Sequence, residues 1–231
     1  TAGNWSLLRK LIAQSAARQA SAARSPKPND PSAGTANPTR QLPVPINSES
    51  GLTTGGGSLL HRPPDEAAQA LYVVRMLLLD FESGVPISIW YDWRDDGDDG
   101  SEPENRFGLV RRDGSPKPAY RALKTLLSEL SGFNLECSNR DPDGQLSLVF
   151  GRVNASAKLV SWREGRGSTS LELPPSLRVA RATDLYGTPV AIQREGREAH
   201  AETANILYVE AEGQDAPAVC GQLQQGPARK P

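Results

Sequence analysis

Residues 87–100, ISIWYDWRDDGDDG, set three aromatics at the end of an apolar run and follow them with five aspartates. Acidic side chains among glycines are one way to bind calcium, and aromatics closing a buried strand are one way to bind a sugar. Spacing decides the first. An EF-hand loop needs acidic or amide ligands at positions 1, 3 and 5, Gly at 6 and Glu at 12. With Gly97 at the glycine position, Arg94 and Pro103 fall on ligand positions; with Gly100 there, Gly97 and Arg106 do. Both registers fail, and Asp95 to Asp99 read as a solvated acidic loop. His61 and His200 have no Cys or His at ligand spacing, so no metal site is expected. GLTTGGGS (51–58) lacks a Walker-spaced lysine and reads as a flexible rim, and Glu102 and Glu104 as solvated acids. That leaves Glu49, just before this glycine-rich stretch, and the aromatic cluster Trp90, Tyr91 and Trp93.

The bulk numbers narrow the partners. A chain of 231 residues with a formal net charge of -1 gives no reason to expect nucleic acid or an anionic membrane surface. Its longest apolar run, Ala70 to Leu79, is broken by Arg75 and is too short to span a bilayer. Cys137 and Cys220 are too few for a disulfide framework, and whether they pair is open at this point. The chain opens TAGNWSLLRK, with neither Met nor a signal-peptide pattern, so the N-terminus is expected to lie upstream.

Elements must carry Glu49 and the aromatics into place. Trp5 to Ala17 has a helical apolar stripe, and residues 18–41 have a composition that cannot build a core, predicting a flexible loop. LPVPIN (42–47) predicts a short extended segment leading to SESG. Pro63-Pro64-Asp65-Glu66 opens a helix through Phe81, stopped by Gly84, that is apolar nearly all round and so covered on most sides. VPISIW (85–90) predicts a strand buried on both faces. A further helix, Pro118 to Leu130, carries a stripe of Ala119, Ala122, Leu123, Leu126, Leu127 and Leu130 and ends at Gly132. After Gly132, the short β-rich runs LSLVF, KLVSW, TSLEL, RVARATDL, PVAIQ and NILYVEA alternate with turn sequences, indicating an antiparallel sandwich or sheet. Residues 213–231, rich in Gly, Gln and Pro, predict a disordered tail.

The sections LPVPINSESG and QALYVV through ISIWYDW to FGLV and KPAYRALKTLL resemble the closing part of clan A glycoside hydrolases, cellulase-like members of families 5 and 39 above all. The resemblance implies an α/β plus β fold. Residues 1–132 would form the C-terminal part of a (β/α)8 TIM barrel, 133–212 an accessory antiparallel β domain, and 213–231 the tail. It also implies a retaining O-glycosyl hydrolase acting on a β-linked polysaccharide or oligosaccharide. Glu49 matches the nucleophile at the end of strand seven, and Trp90 the aromatic at the end of strand eight that floors the sugar site. Tyr91, Asp92, Trp93 and Asn47 join as substrate-binding candidates. The chain departs from the family pattern where Ser50 follows the nucleophile position in place of an aromatic.

The acid/base Glu of that family follows an Asn at the end of strand four, and no Asn-Glu pair precedes Glu49 here. The expectation is therefore the C-terminal portion of a longer enzyme, with the missing N-terminal barrel part as partner, a carbohydrate substrate and no cofactor. Secretion or a periplasmic location would follow from the same resemblance. The alternatives are a non-catalytic carbohydrate-binding or cell-surface protein that keeps barrel remnants, and a plain β scaffold with a disordered leader.

Overall fold

The structure is a computed structural model and describes residues 45–57, 62–163, 169–196, 198–203 and 205–224. The helix expected at Trp5–Ala17, the 18–41 loop, residues 42–44 of LPVPIN, His61 and residues 225–231 lie outside them.

Strand β1 (Asn47–Ser50) and strand β2 (Ser88–Trp90) are parallel neighbours in a two-stranded sheet, joined by helix α1 (Glu66–Glu82). Pro63 and Pro64 cannot continue a helix backwards, and Asp65 caps α1 by accepting from the Ala68 amide at 2.7 Å. Gly84, at φ +68°, takes the left-handed turn that ends it. β2 is shorter than predicted and is not buried on both faces: Ile87 and Ile89 are 53% and 50% exposed, as is Ile46 at 54%. Only the side facing α1 is covered.

A short 3-10 helix (Pro103–Arg106) precedes helix α2 (Pro118–Leu130). The bounds of α2 are those predicted, but the covered stripe is rotated. Leu127 is 59% exposed and Glu129 is buried in its place.

Among the described residues beyond Gly132, eight strands form two antiparallel sheets. Strands β3 (Asn134–Arg140), β4 (Gln145–Gly151), β5 (Lys158–Arg163), β7 (Val179–Thr183) and β10 (Ile206–Ala211) make a five-stranded sheet in the order β3-β4-β5-β10-β7. Strands β6 (Thr169–Leu173), β8 (Gln193–Glu195) and β9 (Glu198–Thr203) make a three-stranded one in the order β6-β9-β8. Of the predicted strand PVAIQ, Pro189 makes an isolated bridge to Thr183, the Val190 amide bonds to Ala182 and only Gln193 enters a strand, opening β8; proline lacks the ladder donor. β3 and β9 are polar on one side and carry small or few apolar residues on the other, which hid them from hydropathy.

The five-stranded sheet is the middle layer. Leu146, Leu148 and Phe150 of β4, with Val160, Trp162, Ile206 and Tyr208, pack on α1 and α2. Val149, Leu159, Leu207 and Val209, on the opposite side, pack on β6, β9 and a third helix. That helix, α3 (Ala216–Gln224), replaces the disordered tail expected from residue 213. It buries Ala216 and Val219 and is tied to β3 by a disulfide between Cys137 and Cys220. Cys220 and Leu223 pack against the same core, and Asp215 caps the helix by accepting from the Ala218 amide at 3.0 Å. Helices and sheet share one buried core across residue 132.

A charged knot joins α2 to the sheet. Glu129 accepts two bonds from Arg181, both at 2.7 Å, and one from Lys158 at 3.2 Å, while Lys158 also reaches Glu210 at 2.7 Å. Burial alone would raise the Glu129 carboxyl, but Arg181 and Lys158 outweigh it and hold it below its ordinary value; the Lys158 hydrogen bond does the same for Glu210. Folding thus depresses both carboxyls. Their contribution is complete above the ordinary glutamate value of about 4.3 and is lost as pH falls below it through the depressed folded values. The urea midpoint of the wild type should therefore drop more steeply below about pH 4.5 than that of Glu129→Gln. The disulfide closes a loop of sequence separation 83. Replacing both cysteines by serine should lower the unfolding free energy by about 2 to 4 kcal/mol, measured in urea, with α3 the first segment to lose amide protection.

Candidate active site

The C-terminal ends of β1 and β2 lie side by side, with Ser50 paired to Trp90 and the Tyr91 amide donating to the Ser50 carbonyl at 2.8 Å. β1 is irregular: Asn47 pairs with Ser88 and Ser50 with Trp90, so Ser48 and Glu49 together stand opposite the single residue Ile89. This bulge decides where Glu49 points. Strict alternation from Asn47 would turn Glu49 toward α1. The extra residue instead puts Asn47 and Ser50 on the α1 side and leaves Ser48 and Glu49 exposed.

Asn47 is engaged on the α1 side. Its Nδ2 donates to Asp80 Oδ2 at 3.0 Å and its Oδ1 accepts from the Ser50 hydroxyl at 2.9 Å. Trp90 shares the α1 side with Ser88. Its indole lies 6.1 Å from the Tyr72 ring of α1 and against the first core, and its N–H is buried without a hydrogen-bond partner among the described residues. Tyr91 and Trp93 stand differently. The Tyr91 ring meets Phe107 edge-on at 5.4 Å and its hydroxyl reaches Asp96 at 3.4 Å. The Asp96 carboxylate, partial burial, and then Asp92 and Glu104 push the phenol above its ordinary value, so it is a neutral donor. Trp93 is 60% exposed, edge-on to Tyr120 at 5.8 Å. Asp92 turns a carboxylate oxygen onto the Trp93 amide.

In the loop after β2, Asp96, Asp98 and Asp99 are exposed as expected, but Asp95 is not. Asp95 is buried, accepts from Lys117 Nζ at 2.7 Å and from the Gly108 amide at 3.0 Å, and has Arg106 at 3.6 Å. Lys117 is itself 1% exposed and also donates to the Arg106 carbonyl at 3.2 Å. This gives the FGLV and KPAY sections a physical meaning. Gly108 is needed because a Cβ there would come within 2.2 Å of the Asp95 nitrogen, and Lys117 supplies the charge that lets Asp95 be buried. Asp98, by contrast, is a surface partner of Arg112.

Nor is GLTTGGGS a loose rim over its described part. The Thr54 amide donates to Arg106 O at 3.2 Å and that of Gly56 to Gly100 O at 3.0 Å, while a Cβ on Gly55 would meet Arg106 at 2.6 Å. Gln69, buried in α1, donates to the Leu52 and Phe107 carbonyls at 2.8 and 3.2 Å and ties both loops to one helix. Glu102 caps the 3-10 helix through the Glu104 amide. Asp80, Gln69, Asp95 and Lys117 are thus the residues that shape this mouth, and hydropathy hid the first two inside an apolar helix. Among the described residues no group of three or more His, Cys, Asp or Glu could hold a metal ion, and no helix is long and apolar enough to cross a membrane.

Neither a protein-family model nor a curated protein matches the sequence. Solved structures do. The chain is similar to a family 39 glycoside hydrolase from the gut symbiont Bacteroides cellulosilyticus WH2, with a TM-score of 0.62 and 24% identity over 71% of this chain and 33% of that one. It also matches the catalytic domain of GH30 xylanase C from Talaromyces cellulolyticus, at 12% identity and a TM-score of 0.46, covering 71% of this chain and 40% of that one. The fold is therefore glycosidase-like, and the chain spans one third of the family 39 enzyme's length.

The buried Asp95–Lys117 pair generates a stability test. Lys117→Met keeps the length of the side chain but strands a buried carboxylate, so it should cost about 3 to 5 kcal/mol in denaturant unfolding. Lys117→Met combined with Asp95→Leu should recover much of that loss.

Proposed function

We propose that this chain is the closing section of a retaining glycoside hydrolase that cleaves a β-linked polysaccharide or oligosaccharide, with Glu49 as nucleophile. The observation that carries the reading is the β1 bulge, which leaves a glutamate exposed at the C-terminal end of a parallel strand, beside two aromatics at the end of the next. In a (β/α)8 barrel, active sites occupy those strand ends. Double displacement needs two carboxyl groups about 5 to 5.5 Å apart, one to attack the anomeric carbon and one to pass the proton. Glu49 would attack, its carboxylate oxygen bonding the anomeric carbon as the glycosidic C–O bond breaks. The proton donor would come from the barrel part that precedes this chain in the whole protein.

The sugar-facing aromatics in this proposal are Tyr91 and Trp93, since Trp90 turns its indole onto α1. An exposed indole offers the C–H face of a pyranose a flat apolar surface, and the neutral Tyr91 hydroxyl can donate to a sugar oxygen. The exposure of Trp93 also suits the second reading, a carbohydrate-binding protein without catalysis, because stacking does not require Glu49.

Two experiments on the whole protein separate these readings. Glu49→Gln preserves shape and removes the attacking charge; turnover of an aryl β-glycoside should fall by several orders of magnitude while sugar binding persists. A 2-fluoro glycoside with a good leaving group should leave a sugar ester that peptide mass spectrometry places on Glu49. Label on Asp92 or Glu102 would move the nucleophile, and absence of any turnover with binding intact would favour the non-catalytic protein.

A further inference from the structure

The residue proposed to attack sits in a bulge between two paired positions of its strand. Between Asn47 and Ser50 the register of β1 slips, and the two residues in the slip, Ser48 and Glu49, face a single partner. A bulge is a local departure from pairing, so its shape must be fixed from outside the ladder. Here the fixing agent is visible. Asp80, 4% exposed on α1, accepts from the Asn47 amide at 3.0 Å and from the Ser88 hydroxyl at 2.6 Å on the same oxygen, Oδ2. Asn47 in turn accepts from the Ser50 hydroxyl at 2.9 Å. One buried carboxylate thereby reaches both ends of the bulge and the facing strand.

Donor and acceptor chemistry makes the arrangement directional. A carboxylate only accepts, so Asn47 must turn its NH2 toward Asp80 and its carbonyl toward Ser50. Ser50 then holds its hydroxyl inward, on the α1 side, which leaves Ser48 and Glu49 as the outward pair. We propose that Asp80 is a positioning residue for Glu49: acting through Asn47 and Ser50, it sets the bulge that aims the nucleophile out of the strand. The inference rests on the reading of Glu49 as nucleophile. α1 packs in the first core through Ala70, Val73, Val74 and Leu78, so the carboxylate is carried on a rigid element.

The test has a structural arm and a kinetic arm. On the 231-residue chain, the amides of Asn47 and Tyr91 bond to the Ile87 and Ser50 carbonyls on either side of the bulge, at 2.9 and 2.8 Å. In Asp80→Ala these two should exchange with solvent about tenfold faster or more, with β4 and β5 amides unchanged. Ser50→Ala, which breaks the last link without touching the core, should give a smaller change of the same pattern if Asp80→Ala does not fold.

In the whole enzyme, Asp80→Ala should lower kcat by about 100-fold with KM nearly unchanged, the effect of a displaced reacting group. Asp80→Asn should recover only part, because its NH2 disturbs the donor order, and Asp80→Ala should add nothing on top of Glu49→Gln. A merely structural role would show as lost stability with full kcat in the folded fraction, and that result would overturn the inference. Unchanged exchange at Asn47 and Tyr91 would also overturn it while leaving Glu49 as nucleophile. Full turnover by Glu49→Gln would instead overturn the function reading, and with it the catalytic purpose given to Asp80.

Discussion

A buried carboxylate and a buried amide N–H in an apolar helix call for partners, and in α1 Asp80 and Gln69 Nε2 use them to organise the mouth of the β1–β2 pair. Gln69 Oε1 is left unpartnered among the described residues. Asp80 and Gln69 face the strands and loops, where an unpaired carboxylate or amide would cost several kcal/mol. Each therefore demands partners, and the partners it takes are the ones that define the site. Asp80 takes Asn47 and Ser88, one from each strand, while Gln69 takes carbonyls from the loops after β1 and β2. Lys117 and Asp95 repeat the logic one layer further out, fastening the loop after β2 to the start of α2. The strands themselves are short and their common face, with Ile46, Ile87 and Ile89, is half exposed. Registry in this region is therefore a matter of side-chain hydrogen bonds more than of ladder length.

This division explains what could be read from the residues and what could not. Both long helices were legible, since proline, a capping aspartate and closing glycines frame apolar periodicity on a helical repeat. The antiparallel character of the chain beyond Gly132 was legible from its turns. Strands β3, β8 and β9 are not legible in hydropathy: β3 is half polar along its length, β8 is Gln-Arg-Glu, and β9 buries only Ala199, Ala201 and Thr203. The disulfide and α3 were missed for a different reason: pairing depends on where two distant segments land, and local composition says nothing about that.

At the site, the location of Glu49 and of the aromatic run followed from the chain, but their orientation did not. A one-residue slip changes the face of everything after it, and no pattern of four residues such as NSES reveals it. Trp90, the sugar floor that the family resemblance implies, shares the α1 side with Ser88 by β2 alternation, and Trp93 is the exposed aromatic. Asp95 was misjudged because a run of aspartates looks uniform in sequence. Its burial against Lys117 and the Gly108 amide distinguishes it from Asp98. The likeness to part of a family 39 glycoside hydrolase concerns the fold as a whole, and these local corrections stand independently of it.

The core that runs unbroken beneath Gly132 bears on how such a protein can change over time. Modules that shuffle between proteins carry their own cores and meet their hosts through polar seams. Here β4 presents Leu146, Leu148 and Phe150 to helices that precede it in the chain, and Glu129 of α2 sits among Lys158, Arg181 and Thr183 of the sheet. A crossover at that point would tear one apolar layer into two wet surfaces. The helices and the sheets behind them are accordingly bound to a shared inheritance: substitutions on one side of the seam must be answered on the other, and the β part cannot be traded for a different ancillary domain without rebuilding the helices that lean on it.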